Sequence, residues 1–313
     1  METRDRSVRE AIFLAALPYR SRLYRRGGWL PLLSHPQSLK EFFTDGEIKR
    51  ARNEADRTES RARAEKIQCL FLDEIGYPEK LKSIFDPPVV LFVKGELRLN
   101  NPIALVGTRR PSPVSRLAIR KYVGQLARKG EVCVVSGFAR GLDREAHLCA
   151  LREGLPGAAV LGSGLFRPGP ISNLDILDLA SKTPAPFALV SEFPPDMPAF
   201  RDHFPRRNRI IAGMCSTICV FQASWKSGAM ITARYALEEG RDVAAFDHEL
   251  LLGEGMNEGA RGLLEDGAGR IEPDLGIVRL PPFRLHPDPE QLEFWSKNMI
   301  SLGNGLFAEE GPS

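Results

Sequence analysis

IALVG (residues 103–107), VCVVSG (132–137) and AAVLG (158–162) are three apolar runs of one build, each closing on a glycine. Further runs begin at Phe187 (FALVSEF), Thr217 (TICVFQA) and Val243 (VAAF), so the starts recur every 26 to 30 residues. One strand, one helix and their turns fill such an interval. The runs are continuously apolar rather than alternating, as strands buried on both faces of a parallel sheet must be. Ser112-Pro113 supplies an N-cap and an N1 proline for a helix that stops at Gly130. Asp143 caps a second helix that stops at Gly154, and a third runs from about Ala229 to Gly240. The expected fold is an open, doubly wound α/β sheet, in which ligands bind at the carboxyl ends of the strands near a topological switch point.

Outward from this centre the signal thins. The first residues read as short helices: Val8 to Leu17 is apolar at helical spacing, Pro18 and Gly27-Gly28 interrupt it, and SLKEFF (38–43) begins another turn. Thr44 to Lys66 carries seven basic and six acidic residues with almost nothing large and apolar, the pattern of a solvated helix or linker. The division expected is therefore a helical module with linker over 1–66, an α/β domain over 67–270 and a short tail over 271–313. Within the second part, VVLFVKG (89–95) reads as a strand closed by Gly95.

The 313 residues are 43% hydrophobic and 27% charged, values of an ordinary globular protein. No window approaches the roughly 18 consecutive apolar residues of a bilayer span. Charges of both signs precede the first apolar run, without the cleavage pattern of a secretory leader, so a cytoplasmic protein is expected. Five cysteines, four of them in apolar surroundings, suit reduced thiols, and Cys215 and Cys219 lack the spacing of a zinc site. Net charge is only +3, but it is segregated: residues 103–143 hold eight Lys/Arg against two acids, and 201–241 hold seven against three. Such segregation is a footprint of phosphate recognition.

Three strand-to-helix turns share one chemistry. GTRR (107–110), SGFARGLD (136–143) and WKSGAMIT (225–232) each combine glycine, a hydroxyl and a cation beside a helix N-terminus, whose free N–H groups and dipole favour phosphate. A fourth segment, RDHFPRRNRIIAG (201–213), puts four arginines in its first nine residues, with Asp202 the one acid among them. Arginine's planar fork suits phosphate oxygens and Phe204 offers a stacking surface, so Arg201 and Phe204 join the candidates from composition. Arg109 and Arg207 are both read as lying on polar turns. No P-loop is present, and GSGLFR (162–167) lacks the third glycine of a dinucleotide fingerprint, so no cofactor is expected.

The ordered set GTRRPS (107–112), VVSGFARGLDREAH (134–147), AVLGSGL (159–165), SEFPP (191–195), FPRRNRIIAG (204–213) and KSGAMITARYALEEGRDVAAF (226–246) closely resembles the DNA-processing protein A (DprA/Smf) family over about residues 70 to 270. The resemblance implies an extended Rossmann-like domain that binds single-stranded DNA, protects incoming strands during natural transformation and loads the RecA recombinase. It also implies a homodimer without catalytic turnover. Carried onto matching positions, the implied DNA contacts are Gly107, Thr108 and Arg109, then Ser136, Gly137, Arg140 and Gly141. Arg207, Asn208 and Arg209 follow, with Lys226, Ser227, Gly228 and Thr232. Many members end in a winged helix, for which too few residues follow Gly269, so that domain is expected to be absent. The N-terminal module resembles the sterile-alpha-motif-like or helix-hairpin-helix-like piece of other members only loosely, and Asp247-His248 stands where Pro-Gly is usual.

The competing class is enzymatic. Lysine-decarboxylase-like nucleotide phosphoribohydrolases share the superfold, and in them a catalytic glutamate closely follows the glycine-rich turn. Here Thr232 is followed by Ala-Arg-Tyr-Ala and the first acid is Glu238, about two helical turns away. A nucleotide-binding role is the other alternative. His147, one turn after Asp143, and Glu192, at a strand end, are possible bases, but no nucleophile or second carboxylate accompanies either. No catalytic or metal-ligating residue is assigned.

Overall fold

The computed structural model describes residues 7–18, 36–253, 255–272 and 276–278. Two helices come first. Ser7 caps α1 (Val8–Ala16) by accepting from Glu10 N, and Thr44 with Glu47 forms a capping box on α2 (Asp45–Ala64). Within residues 44–66, read as a solvated helix or linker, Asp45–Ala64 is thus one continuous helix, and its buried stripe is Ile48, Ala51, Ala55, Thr58 and Ala62. A stripe made mostly of alanine packs closely yet leaves little apolar signal in the sequence. That face shares an apolar cluster with Phe71, Phe92, Ala159 and Leu161, so the helices are built onto the sheet rather than set apart from it.

The chain then forms β1 (Gln68–Phe71), the single turn α3 (Glu79–Lys82) and β2 (Val90–Gly95). Strands and helices alternate from there: β3 (Ile103–Val106), α4 (Pro113–Lys129), β4 (Val134–Ser136), α5 (Leu142–Arg152), β5 (Gly157–Val160), α6 (Leu174–Lys182) and β6 (Phe187–Ser191). The second half runs α7 (His203–Met214), β7 (Thr217–Val220), α8 (Gly228–Glu238), β8 (Asp242–Ala245), α9 (Glu258–Glu265), β9 (Gly269–Glu272) and β10 (Gly276–Val278). All six strands read from the apolar runs are present. The ten strands form one sheet in the order β1-β2-β6-β5-β4-β3-β7-β8-β9-β10. It is parallel from β6 to β9, with β2 antiparallel to β6 at one end and β10 antiparallel to β9 at the other.

Side chains alternate across the central strand, as the pleat requires. Ile103 and Leu105 pack with α4 and α5 on one face, while Ala104 and Val106 pack with α7, α8 and α9 on the other. From β3 the winding proceeds outward in both directions, so the turns after β3 and β7 leave to opposite faces and open a crevice between them. At the far side the division drawn at residue 270 falls inside β9, and the sheet continues to Val278. The expected tail without a winged helix lies, beyond Val278, outside the described residues. Among the described residues all five cysteines are free, no helix is long and apolar enough to cross a membrane, and no cluster could hold a metal ion.

Candidate nucleic-acid interface

The crevice is assembled by close backbone approach. A Cβ on Gly107 would stand 2.4 Å from Leu142 Cδ1, so a side chain at the end of β3 would displace the fully buried Leu142 at the start of α5. Gly141 has φ +81, and a Cβ there would be 2.3 Å from the Thr108 carbonyl oxygen. Thr108 N donates to the Gln222 carbonyl at 2.8 Å, Leu142 N donates to the Thr108 carbonyl at 3.2 Å, and Ser112 N donates to Gln222 Oε1 at 3.0 Å. The turns after β3, β4 and β7 are thereby stitched together. Ser112 and Pro113 start α4 as expected, with Ser112 Oγ accepting from Ser115 N.

Beneath this rim lie two buried opposite charges, Arg207 and Asp143. Arg207 belongs to the interior face of α7 and is 4% exposed, which corrects its reading as a polar-turn residue. Its Nη1 donates to the Val160 carbonyl at 2.8 Å and lies so close to Gly137 that a Cβ there would be 1.8 Å away. Asp143 is not the N-cap of α5, a position held by Gly141; it sits in the first turn, where Oδ2 accepts from Gly137 N at 3.2 Å and Ala139 N at 3.4 Å. Burial pushes the Asp143 carboxyl up from its ordinary range, against the pull of Arg207 and the two amides. Burial also brings Arg207 down to about 10, with Asp143 opposing, so it remains a cation at neutral pH. Ser136 is buried, its Oγ donating to the Leu105 carbonyl at 2.6 Å.

Arg209 is turned away from the crevice. It is 5% exposed and clasped by Glu192, with Nη1 to Oε1 at 2.9 Å and Nη2 to Oε2 at 2.8 Å, and by Asp86 at 3.0 Å. Arg206 donates to the same Glu192 at 2.9 Å. Burial alone would raise Glu192, yet the two arginines hold it below the usual carboxylate range, and both its oxygens are engaged. His147 lies between the rings of Phe138 (6.1 Å) and Phe187 (5.4 Å), and burial drives it down to about 3. Both side chains are core elements here, not free bases.

The opening itself is a cleft of about 550 Å³ between α7 and the start of α8. Ten of the sixteen candidates line it: Gly107, Thr108 and Arg109 from the first turn, Arg201, Phe204, Arg207 and Asn208 from α7 and its approach, and Ser227, Gly228 and Thr232 from α8. Six do not. Ser136, Gly137 and Gly141 shape the wall from behind, Arg209 is bound elsewhere, and Arg140 and Lys226 stand exposed on turns outside the lining. Thr232 Oγ1 (3.2 Å) and Asn208 Nδ2 (3.1 Å) both donate to the Gly228 carbonyl, fixing the first turn of α8 with its N–H groups toward the cleft. Ser227 Oγ is buried there without a hydrogen-bond partner among the described residues. Opposite, the Phe204 ring rests on Gly162, where a Cβ would be 2.9 Å away, and the Arg109 guanidinium lies 5.6 Å from its centroid. Arg110 also lines the cleft and was not among the candidates, although the doubled arginine of GTRR was the signal for it. Arg109, Arg110 and Arg201 make no ion pair among the described residues, so cations, a helix N-terminus and an aromatic face converge on one opening.

Residues 68–278 match the family described as DNA recombination-mediator protein A. The chain is 38% identical to DNA processing protein DprA of Streptococcus pneumoniae over 61% of this chain and 66% of that protein. It is also 38% identical to protein Smf of Escherichia coli, over 72% of this chain and 60% of that protein. The chain thus spans about two thirds or less of the length of these two relatives. Among solved structures, DNA processing protein A of Streptococcus pneumoniae superposes with a TM-score of 0.66 at 30% identity, covering 84% of this chain and 94% of that one. DNA processing protein A of Helicobacter pylori, for which a single-stranded DNA binding mode is described, gives 0.56 at 27% identity, over 65% and 91%.

Proposed function

Because the chain belongs to the DNA recombination-mediator protein A family, we propose that it binds single-stranded DNA in the cleft at the β3/β7 switch point. The observation that carries this reading is the convergence of Arg109, Arg110 and Arg201 on the N-terminus of α8 beside the Phe204 ring. Phosphates are matched by the arginines and the helix N–H groups, and a base face by the phenyl ring. None of these contacts reads base edges in a fixed pattern, so binding is independent of sequence. The DNA-binding mode described for the Helicobacter pylori protein supports the same assignment.

The role extends to protecting incoming strands in transformation and passing them to the RecA recombinase, as a cytoplasmic homodimer paired through the α/β domain. No turnover is assigned. The lining carboxylate, Asp143, already accepts from two amides and is buried near the Arg207 charge, and Glu238 lies at the far end of α8 from the cleft, so binding accounts for the lining better than hydrolysis does.

The test is anisotropy titration with single-stranded and duplex oligonucleotides of equal length across a salt series. Contact with about four phosphates gives a log–log slope near −3 for single strands, at roughly −0.7 per phosphate. Equal affinity for duplex, or no salt response, overturns the reading. The recombinase role is tested separately, by strand exchange on DNA pre-coated with single-strand-binding protein. Absence of stimulation at every ratio removes loading and leaves protection.

A further inference from the structure

Beside the cleft, outside its lining, three rings form an ordered array. Phe193 is buried, and His203 stacks on it with centroids 3.9 Å apart and planes 14° apart. His203 Nδ1 lies 3.2 Å from the Gly162 carbonyl, which fixes the imidazole from a second side. Phe200 meets the edge of His203 at 5.0 Å and 84°, and it is 50% exposed. Burial holds His203 below its usual range, so at neutral pH the middle ring is uncharged and the array is a hydrophobic stack rather than a cation site.

An exposed phenyl ring is ordinary on a protein surface. This one differs in its support and its neighbours. It is seated on a fixed pair of rings, so little side-chain freedom remains to be lost when a ligand covers it. Arg201, the next residue, lines the cleft without an ion pair among the described residues, and Phe204 lines it four residues on. Phe200 therefore adjoins a cleft-lining residue in the chain, and its contact with His203 seats it beside the ends of β5 and β6, where Gly162 and Phe193 lie. A strand whose phosphate meets Arg201 brings the neighbouring base over Phe200.

We propose that Phe200 is a stacking platform for a nucleobase just outside the cleft, supported by the buried Phe193–His203 pair, which extends the bound strand beyond the cavity. The inference rests on the single-stranded DNA reading and adds a contact to it.

The experiment compares the full chain with Phe200→Ala, Phe200→Leu and Phe200→Trp, using labelled oligo(dT) and an abasic oligodeoxynucleotide of the same length. One base–aromatic stack is worth about 1 to 3 kcal/mol, and 1.4 kcal/mol is tenfold. Phe200→Ala is therefore expected to weaken oligo(dT) binding roughly 5- to 140-fold. Phe200→Leu loses most of the same amount, Phe200→Trp keeps the affinity, and all four proteins bind the abasic strand equally. Unchanged oligo(dT) affinity in Phe200→Ala, full rescue by leucine, or an equal loss on both strands overturns the platform. If the parent protein itself fails to bind oligo(dT), the DNA reading fails and the platform falls with it.

Discussion

Replacing Arg207 with alanine tests how the cleft is held up. The guanidinium is buried, donates to the Val160 carbonyl and offsets the buried carboxylate of Asp143. Removing one of two buried opposite charges leaves the other uncompensated, at a cost of up to about 3 to 5 kcal/mol. For a domain of this size that lowers the melting temperature by roughly 6 to 20 °C. The deficit also carries a pH signature. Asp143 already titrates above its ordinary value because of burial, and without Arg207 its folded-state pKa rises further. A carboxyl with a raised folded pKa binds its proton more tightly when folded, so stability falls as pH climbs from the unfolded value through the folded one. The gap between variant and parent is therefore expected to be wider at about pH 8 than at about pH 5, by urea unfolding followed with circular dichroism. Adding Asp143→Asn to the variant recovers part of the loss at the higher pH. An unchanged melting temperature at both pH values, with only DNA affinity reduced, refutes the buried-pair reasoning and makes Arg207 a simple phosphate ligand.

Arg109, exposed on its turn, behaves differently: Arg109→Ala is expected to weaken oligonucleotide binding by about ten- to a hundredfold, the value of one charge-assisted phosphate contact, with no shift in thermal midpoint. Asn257→Ala lowers stability by about 1 to 3 kcal/mol, because this fully buried amide donates to the Phe246 carbonyl and Asp247 and accepts from Ala223 N; thermal melting measures it, and a neutral result contradicts the bonding described. Deleting residues 1–66 uncovers Phe71 and Phe92 of the shared cluster, so the truncated chain is expected to aggregate in sedimentation, and a soluble, compact product shows that the helices are dispensable.

The central strands were legible because burial on both faces leaves unbroken apolar runs, and the turns because glycine must stand where backbones touch, as at Gly141. Other features left no such trace. The short outer strands QCLF (68–71) and GRIE (269–272) mix polar and apolar residues and depend on their neighbours in the sheet. Which arginine of FPRRNRIIAG faces the cleft and which the core was equally hidden, since the deciding partners, Glu192, Asp86 and Val160, come from other segments. Local composition found the right cluster of cations but could not divide it between binding and support.

The pairing of β3 with β7 sets Ile103 beside Thr217, so the two strands that frame the crevice are synthesised far apart. Contacts of such separation are slow to form, because a long loop must close before either strand gains from the other. A chain emerging from the ribosome can complete β3, β4, β5 and β6 as a contiguous half-sheet well before β7 is made. Only when β7 joins the free edge of β3 does the N-terminus of α8 come to face Arg109. The anion-binding surface is therefore acquired late, and a nascent or partly unfolded chain lacks it even when most of the β1–β6 half of its sheet is formed.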